Sequence, residues 1–125
     1  MNTDEHRLNG LTEKVIGAAF EVSNVLGPGF LEKVYERALL KELRLRGLDA
    51  ECQVGIEVFY KDQLVGEYLA DIVVANTIIV KLKCVGSLSK EHLAQCMNYL
   101  KASGKKIALL LNFQRPRLEL RRIIN

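Results

Sequence analysis

The chain lacks the features that would hold a small protein together covalently. Its three cysteines, Cys52, Cys84 and Cys96, are odd in number and far apart, with no C-x-x-C pair among them. That argues against a disulfide framework and gives no support to a zinc site, since both need paired or clustered thiols. Reduced cysteines filling core space are the expectation. Cys84, beside Lys83, is the thiol to test for reactivity, because an adjacent cation lowers a thiol pKa. Any long uninterrupted apolar stretch is also missing, so no membrane span is expected. Met1 to Arg7 are polar and no apolar region follows them, so no secretion signal is read and a cytosolic location is expected. No repeat, low-complexity tract or linker breaks the 125 residues. That length suits one domain, residues 1–125, built on one core.

What is present is ordinary in amount and uneven in placement. Apolar residues make up 49% and charged residues 26%, as in a globular chain, and the net charge is +3. From Lys101 onward the bases Lys101, Lys105, Lys106, Arg115, Arg117, Arg121 and Arg122 stand against the single acid Glu119. Such an excess either meets phosphate or forms a solvated basic surface, and composition favours neither.

Apolar spacing sets the elements. Leu11, Val15, Ala18, Val22 and Val25 predict a helix from Leu11 or Thr12 to Leu26. Gly27-Pro28-Gly29 breaks it, and a second helix is expected from Phe30 to Arg46, stopped by Gly47. Strands are expected over Val54–Tyr60 and Leu64–Val74, joined by a Lys61-Asp62-Gln63 turn. Ala75-Asn76 then turns into Thr77–Cys84, completing an antiparallel meander. Ser89 is the candidate N-cap of a third helix that carries Glu91 in its first turn and ends at Gly104. Lys106–Phe113 is apolar enough for a strand buried on both faces. After an Arg115-Pro116 turn, Leu118–Ile124 adds a last strand. A meander, a crossover helix and a buried strand give an α/β sandwich: a mixed sheet flanked by helices.

Few residues break this apolar plan in ways that suit chemistry. Asp71 lies inside an apolar strand, on the face of Leu69 and Val73 and opposite Ala70, Ile72 and Val74. A buried acid needs a cation or donor. On the next strand Lys81 and Lys83 share the face of Ile79, so a cross-strand ion pair from Asp71 to either lysine accounts for all three. Glu32 falls between Leu39 and Leu43 on the apolar arc of the second helix, and Glu42 also lies within that arc. Glu32 is either a carboxylate aimed at the sheet or a first-turn acid complementing the helix dipole. His92, Gln95 and Tyr99 form one stripe beside the core face Leu93, Cys96, Met97 and Leu100. Such a stripe orients a substrate or a lysine, or is simply an amphipathic boundary.

Together these residues are recognisable. Gly29-Phe30-Leu31-Glu32-Lys33-Val34-Tyr35 reads G-x-x-E-x-x-Y, and the chain resembles the GxxExxY protein family from about Leu11 to Ile124. Further matches are Glu42 to Gly47, Gln53-Val54, Tyr68 to Asp71, Ala94-Gln95, Asn98 to Lys101 and Leu111-Asn112-Phe113. That family resembles the PD-(D/E)XK nuclease superfamily, which implies a restriction-endonuclease-like fold, magnesium and a DNA or RNA substrate. By position the resemblance makes Glu32 the helix acid of the metal site, Asp71 the first sheet acid and Lys83 the lysine closing the core motif. Gln95 and Tyr99 match a Q-x-x-x-Y element. Glu32 and Asp71 would be the metal ligands, while Lys81, Lys83, Arg115 and Arg117 would meet nucleic acid.

The departure is Lys81, which stands where the family has glutamate. Magnesium wants oxygen ligands in octahedral geometry, and a lysine replaces one such ligand with a positive charge. The Lys81 ammonium can take the metal's place between Asp71 and Glu32. Otherwise Lys81 bends aside and Glu57 or Glu67 supplies a displaced carboxylate. Three classes of function therefore stay open. They are a metal-dependent nuclease, a silent relative that binds nucleic acid, and a protein-interaction or homo-oligomerisation module on the same fold.

Overall fold

A computed structural model describes residues 3–125. The elements are α1 (Thr3–Leu26), α2 (Glu32–Leu45), β1 (Ala50–Tyr60), β2 (Gln63–Val74), β3 (Ile78–Lys83), α3 (Lys90–Ser103), β4 (Ile107–Asn112) and β5 (Glu119–Ile124). The five strands form one mixed sheet in the order β1-β2-β3-β4-β5. Only β3 and β4 run parallel, joined through α3, because parallel neighbours need a crossover. No helix among the described residues is long and apolar enough to cross a membrane.

Two apolar layers sandwich the sheet. On one face Val15, Ala18 and Val22 of α1 and Tyr35, Leu39 and Leu43 of α2 pack with Ile72, Val74, Val80, Leu82, Leu109 and Leu111. On the other, Cys96, Tyr99 and Leu100 of α3 pack with Ile79, Ala108, Leu110 and Ile123. Every residue of β4 is buried, as its apolar run predicts.

The differences from the sequence reading have local causes. Helix α1 starts at Thr3, well before Leu11, with Asp4 and Glu5 in its first turn and Leu8 and Leu11 partly buried against the core. Thr12 does not begin the helix: its hydroxyl donates to the Leu8 carbonyl one turn back (2.7 Å). Strand β1 begins at Ala50, four residues earlier than expected, because Ala50 pairs with Val74 and its carbonyl accepts from the Arg44 guanidinium at 2.9 and 3.2 Å. The β1–β2 connection is a two-residue turn, Lys61-Asp62, with both residues left-handed (φ +46° and +68°) and Tyr60 paired with Gln63.

The face assignments around Asp71 need correction. Ile72 and Val74 join the α1/α2-side core, but Ala70 joins Val73 in the α3-side core. Strand β1 does the same, with Ala50 in the first layer and Ile56 in the second. Cys52–Ile72 and Val54–Ala70 keep one register, while Gln53 between them has φ +52°. The alternation of both strands therefore inverts across Gln53 and Asp71. Asp71 sits at an interruption of the ladder rather than in a regular strand.

Candidate functional site

That interruption is where the sheet opens. Strands β2 and β3 pair only from Val74–Ile78 to Ile72–Val80. Beyond it the Leu82 N–H meets a side chain instead of a strand: it donates to Asp71 Oδ2 at 2.7 Å. Lys81 Nζ lies 3.4 Å from Asp71 Oδ1. Asp71 is thus compensated by one backbone donor and one ammonium, which answers the cost of burying a carboxylate. Of the two lysines the sequence left as alternatives, Lys81 makes the ion pair. Lys83, half-buried at the end of β3, makes none among the described residues.

Lys81 is the centre of the cluster. Its ammonium also lies 5.7 Å from the centroid of the Tyr99 ring, within cation–π range. Burial acts to lower its pKa, but Asp71, Tyr99 and Glu32 outweigh that, and the net direction is up from 10.5. The same field reaches Cys96 of α3. Burial raises that thiol to about 11, with Lys81 and Lys83 pulling it down and Asp71 pushing it up. Cys84 departs from its expectation: burial first, then Glu32, raise its pKa, so the neighbouring Lys83 does not activate it. The core-filling expectation holds for Cys96, which is buried, and fails for Cys52, which is exposed.

Glu32 reaches the site from a different direction than its helical phase implies. It is the exposed first residue of α2, not a carboxylate buried against the sheet. The G-x-x-E-x-x-Y segment places it there. Gly29 has φ +113°, a conformation suited to glycine. Tyr35 is wholly buried, stacked on Phe113 at 4.8 Å, and its hydroxyl donates to the Gly27 carbonyl at 2.5 Å. That hydroxyl also accepts from Phe30 N–H at 3.2 Å. Glycine makes the turn, tyrosine ties it to the core, and Glu32 projects from the fixed helix start. Replacing Tyr35 with Phe should therefore cost about 1–2 kcal/mol in chemical denaturation, the value of two partly buried hydrogen bonds. An unchanged denaturation midpoint would dissolve this account of the motif.

The buried acid of α2 is Glu36, one turn on. It accepts from Lys33 Nζ at 3.0 Å and from Gln53 Nε2 at 2.8 Å, tying α2 to the irregular residue opposite Asp71. Sequence reasoning passed over Glu36 and gave Gln53 no role beyond a family match, although a second glutamate one turn after Glu32 was a readable signal. It likewise named Asn112 only as part of a family match and not for its role, though the residue is wholly buried at the end of β4. The Asn112 side chain donates to Val85 O and Glu119 Oε1 at 2.8 and 3.0 Å, and accepts from Val85 N–H and Gln114 N–H. Glu119 Oε1 accepts from Leu88 N–H as well. These bonds fix the loop after β3. A lone Asn in an apolar strand was the signal.

The clamp carries a pH dependence. Asn112 first, then Leu88 N–H, Arg115 and Arg121, hold the Glu119 pKa below 4.5 against the opposing effect of burial. A depressed carboxylate contributes stability above its unfolded value and loses it as pH falls through the folded one. Protection of the Val85 and Leu88 amides, relative to their intrinsic exchange rate at each pH, should fall below pH 4.5, and Glu119→Gln should abolish the acid-specific part. Equal acid sensitivity in the variant would assign the effect elsewhere.

The remaining sequence candidates divide. Tyr99 joins the cluster, its ring 5.3 Å from Tyr68. Gln95 is exposed on α3. His92 caps its helix instead of joining the stripe: its Nδ1 accepts from Ser89 N–H at 3.0 Å, and its own N–H donates to Ser89 Oγ. Arg115 and Arg117 are exposed on the β4–β5 loop, at the end of the sheet where Lys83 pairs with Asn112. The C-terminal bases do not form one surface. Lys105 donates to the Asn76 turn at the other end of β4, and Arg121 and Arg122 pair with Glu119 and Glu13 at 3.6 and 3.8 Å. A cleft of about 630 Å³ between Asp4, Asn76 and Lys105 also lies at that far end, away from Asp71.

A magnesium ion does not fit these residues as they stand. One Asp71 oxygen is committed to Leu82 N–H and the other faces an ammonium. Among the described residues no three His, Cys, Asp or Glu side chains come together to hold a metal. Glu57 and Glu67, the displaced carboxylates considered from sequence, stand opposite each other in the β1–β2 register.

A mixed sheet that opens at an aspartate, with lysines on the adjoining strand and a glutamate from the flanking helix, is a nuclease-type fold. The family model of the PD-(D/E)XK nuclease superfamily matches residues 9–123, and the chain belongs to that superfamily. No curated protein and no solved structure matches the chain.

Proposed function

We propose that this chain is a cytoplasmic, GxxExxY-type binder of DNA or RNA whose magnesium-dependent phosphodiester hydrolysis is impaired because Lys81 occupies the place of the site's acid. The observation that carries the reading is the 3.4 Å approach of Lys81 Nζ to Asp71 Oδ1. The ammonium neutralises the carboxylate a metal would need. Lys83, Arg115 and Arg117 carry charges free to meet phosphate, since the described residues pair none of them in a salt bridge. Glu32, Gln95 and Tyr99 border the bound strand, and Tyr99 holds Lys81 in place through its ring.

The test has two arms. Phosphate contacts release counterions, so three of them give a slope of log K against log salt of roughly −3 on duplex DNA, and Lys83→Ala should lessen it by about one. Binding that ignores salt, or no binding, would remove nucleic acid from the reading. In the second arm the natural chain and Lys81→Glu are compared for magnesium-dependent cleavage. Equal, strong cleavage by both would show that Lys81 does not impair the site.

A further inference from the structure

The two faces of the β1–β2 hairpin differ in chemistry. The register pairs Ile56 with Tyr68 and Phe59 with Leu64, and Ile56 belongs to the α3-side core. Phe59, Leu64 and Tyr68 therefore stand on the face toward α3, where they are 48–59% exposed. Glu57 and Glu67 face each other at an intervening position and take the opposite face, where the Glu67 carboxylate lies over Gly55. Between the hairpin and α3 runs a groove of about 450 Å³, with Phe59 and Tyr68 on one wall and Asn98 and Lys101 on the other. Glu57 also borders it, but the register directs its side chain away. Lys101 is exposed and forms no salt bridge among the described residues. The Tyr68 ring leans on Tyr99 at 5.3 Å, and the Tyr99 ring lies 5.7 Å from the Lys81 ammonium. The groove thus leads from the hairpin to the Asp71 site.

We propose that this groove makes the chain selective for single-stranded nucleic acid, which rests on the nucleic-acid reading above and names the form of its substrate. Unpaired bases stack on Tyr68 and Phe59, Lys101 holds the phosphate between them, and the strand continues toward Lys81 and Lys83. Open rings beside a cation and an amide are the chemistry that takes a base face and a backbone charge together. A double helix offers no such face, because its bases already stack on one another and only unpaired ones splay onto a side chain. The two rings take separate bases, since Tyr68 and Leu64, the partner of Phe59, are four residues or about 13 Å apart at the rise of a strand. An apolar protein segment in the same groove would bury Lys101 without a counter-charge.

The selection is tested by titrating the full chain into a labelled, unstructured single strand of about sixteen nucleotides and into its duplex, made in DNA and in RNA. With at least one of the two sugars, the single strand should bind about tenfold or more tightly than its duplex. Phe59→Leu and Tyr68→Leu should each weaken the single strand by about fivefold or more, the loss of one stacked base, and leave the duplex within about twofold. Tyr68→Phe keeps the ring and should stay within about twofold of the natural chain. Lys101→Ala should lessen the single-strand salt slope by about 0.7. Circular dichroism checks the fold of each variant. Should Tyr68→Leu lose its fold through the Tyr99 contact, Phe59→Leu decides alone. Equal affinity for strand and duplex, or folded leucine variants that hold the single strand as tightly as the natural chain, would overturn the selection and leave the nucleic-acid reading standing. Binding to neither form would overturn both.

Discussion

Replacing Lys81 with glutamate should make the protein less stable without magnesium and let magnesium restore most of that loss. The natural ammonium attracts Asp71 at 3.4 Å. At this separation an effective dielectric near 20 gives roughly 4 kcal/mol for a unit pair, and reversing one charge turns that attraction into repulsion. Solvent access and side-chain relaxation discount the swing, and a loss of about 3 kcal/mol in metal-free buffer is the expected result. Two sheet carboxylates with Glu32 nearby then offer magnesium the oxygens it needs. At a concentration one hundred times Kd the ion returns about 2.7 kcal/mol, which for a chain of this size is a rise in Tm of about 10 °C. The natural chain should show no such rise. Thermal melts of both proteins, with and without magnesium, measure the sign directly. A natural chain stabilised by magnesium as strongly as the variant would mean that Lys81 swings clear of Asp71 in solution.

Titration of Lys81 predicts no such sensitivity to pH near neutrality. The Lys81 pKa is raised above 10.5, so the stability it contributes is present below that value and is lost as pH climbs through the folded one. On the acid side, the lowered pKa of Glu119 contributes a sensitivity of its own.

Much of the frame was legible because period and punctuation agree. Gly27-Pro28-Gly29, Lys61-Asp62, Ala75-Asn76 and Gly104 mark real boundaries, and each carries left-handed residues where the backbone reverses. The apolar run of β4 announced its burial. What the sequence hid depends on strict alternation or on helical phase alone. Alternation assigned Ala70 to the face of Ile72, and the left-handed Gln53 across the ladder inverted it. Helical phase put Glu32 on the buried arc, but phase does not report that a residue sits at a helix start beyond the edge of its layer. The capping role of His92 and the Asn112 clamp rest on hydrogen bonds to backbone, which side-chain patterns do not display. The chemistry-bearing residues were readable as types. Their pairing was not: sequence left Lys81 and Lys83 equivalent, and a strand that splays after Ile72–Val80 selects Lys81.

Removing Asp71 should be the most destabilising single truncation in the site, and the way it couples to Lys81 separates two accounts of why the pair exists. Asp71→Ala strands the Lys81 ammonium, whose side chain is only 15% exposed, and leaves Leu82 N–H without its acceptor. Breaking a largely buried pair from one side, together with an orphaned donor, should cost about 3–4 kcal/mol. Asp71→Asn should cost less, because its amide oxygen still accepts from Leu82. In the double variant Asp71→Ala/Lys81→Met the stranded charge is gone, and only the orphaned N–H remains to cost about 1–2 kcal/mol. The double variant should therefore be more stable than Asp71→Ala alone, a coupling readable from denaturation midpoints of the four proteins. Such a result means that Lys81 is retained to neutralise a carboxylate that the opened sheet needs for its backbone bond. If the two losses simply add, Asp71 matters to the fold through Leu82 alone. Lys81 would then be a free cation, available to bind phosphate.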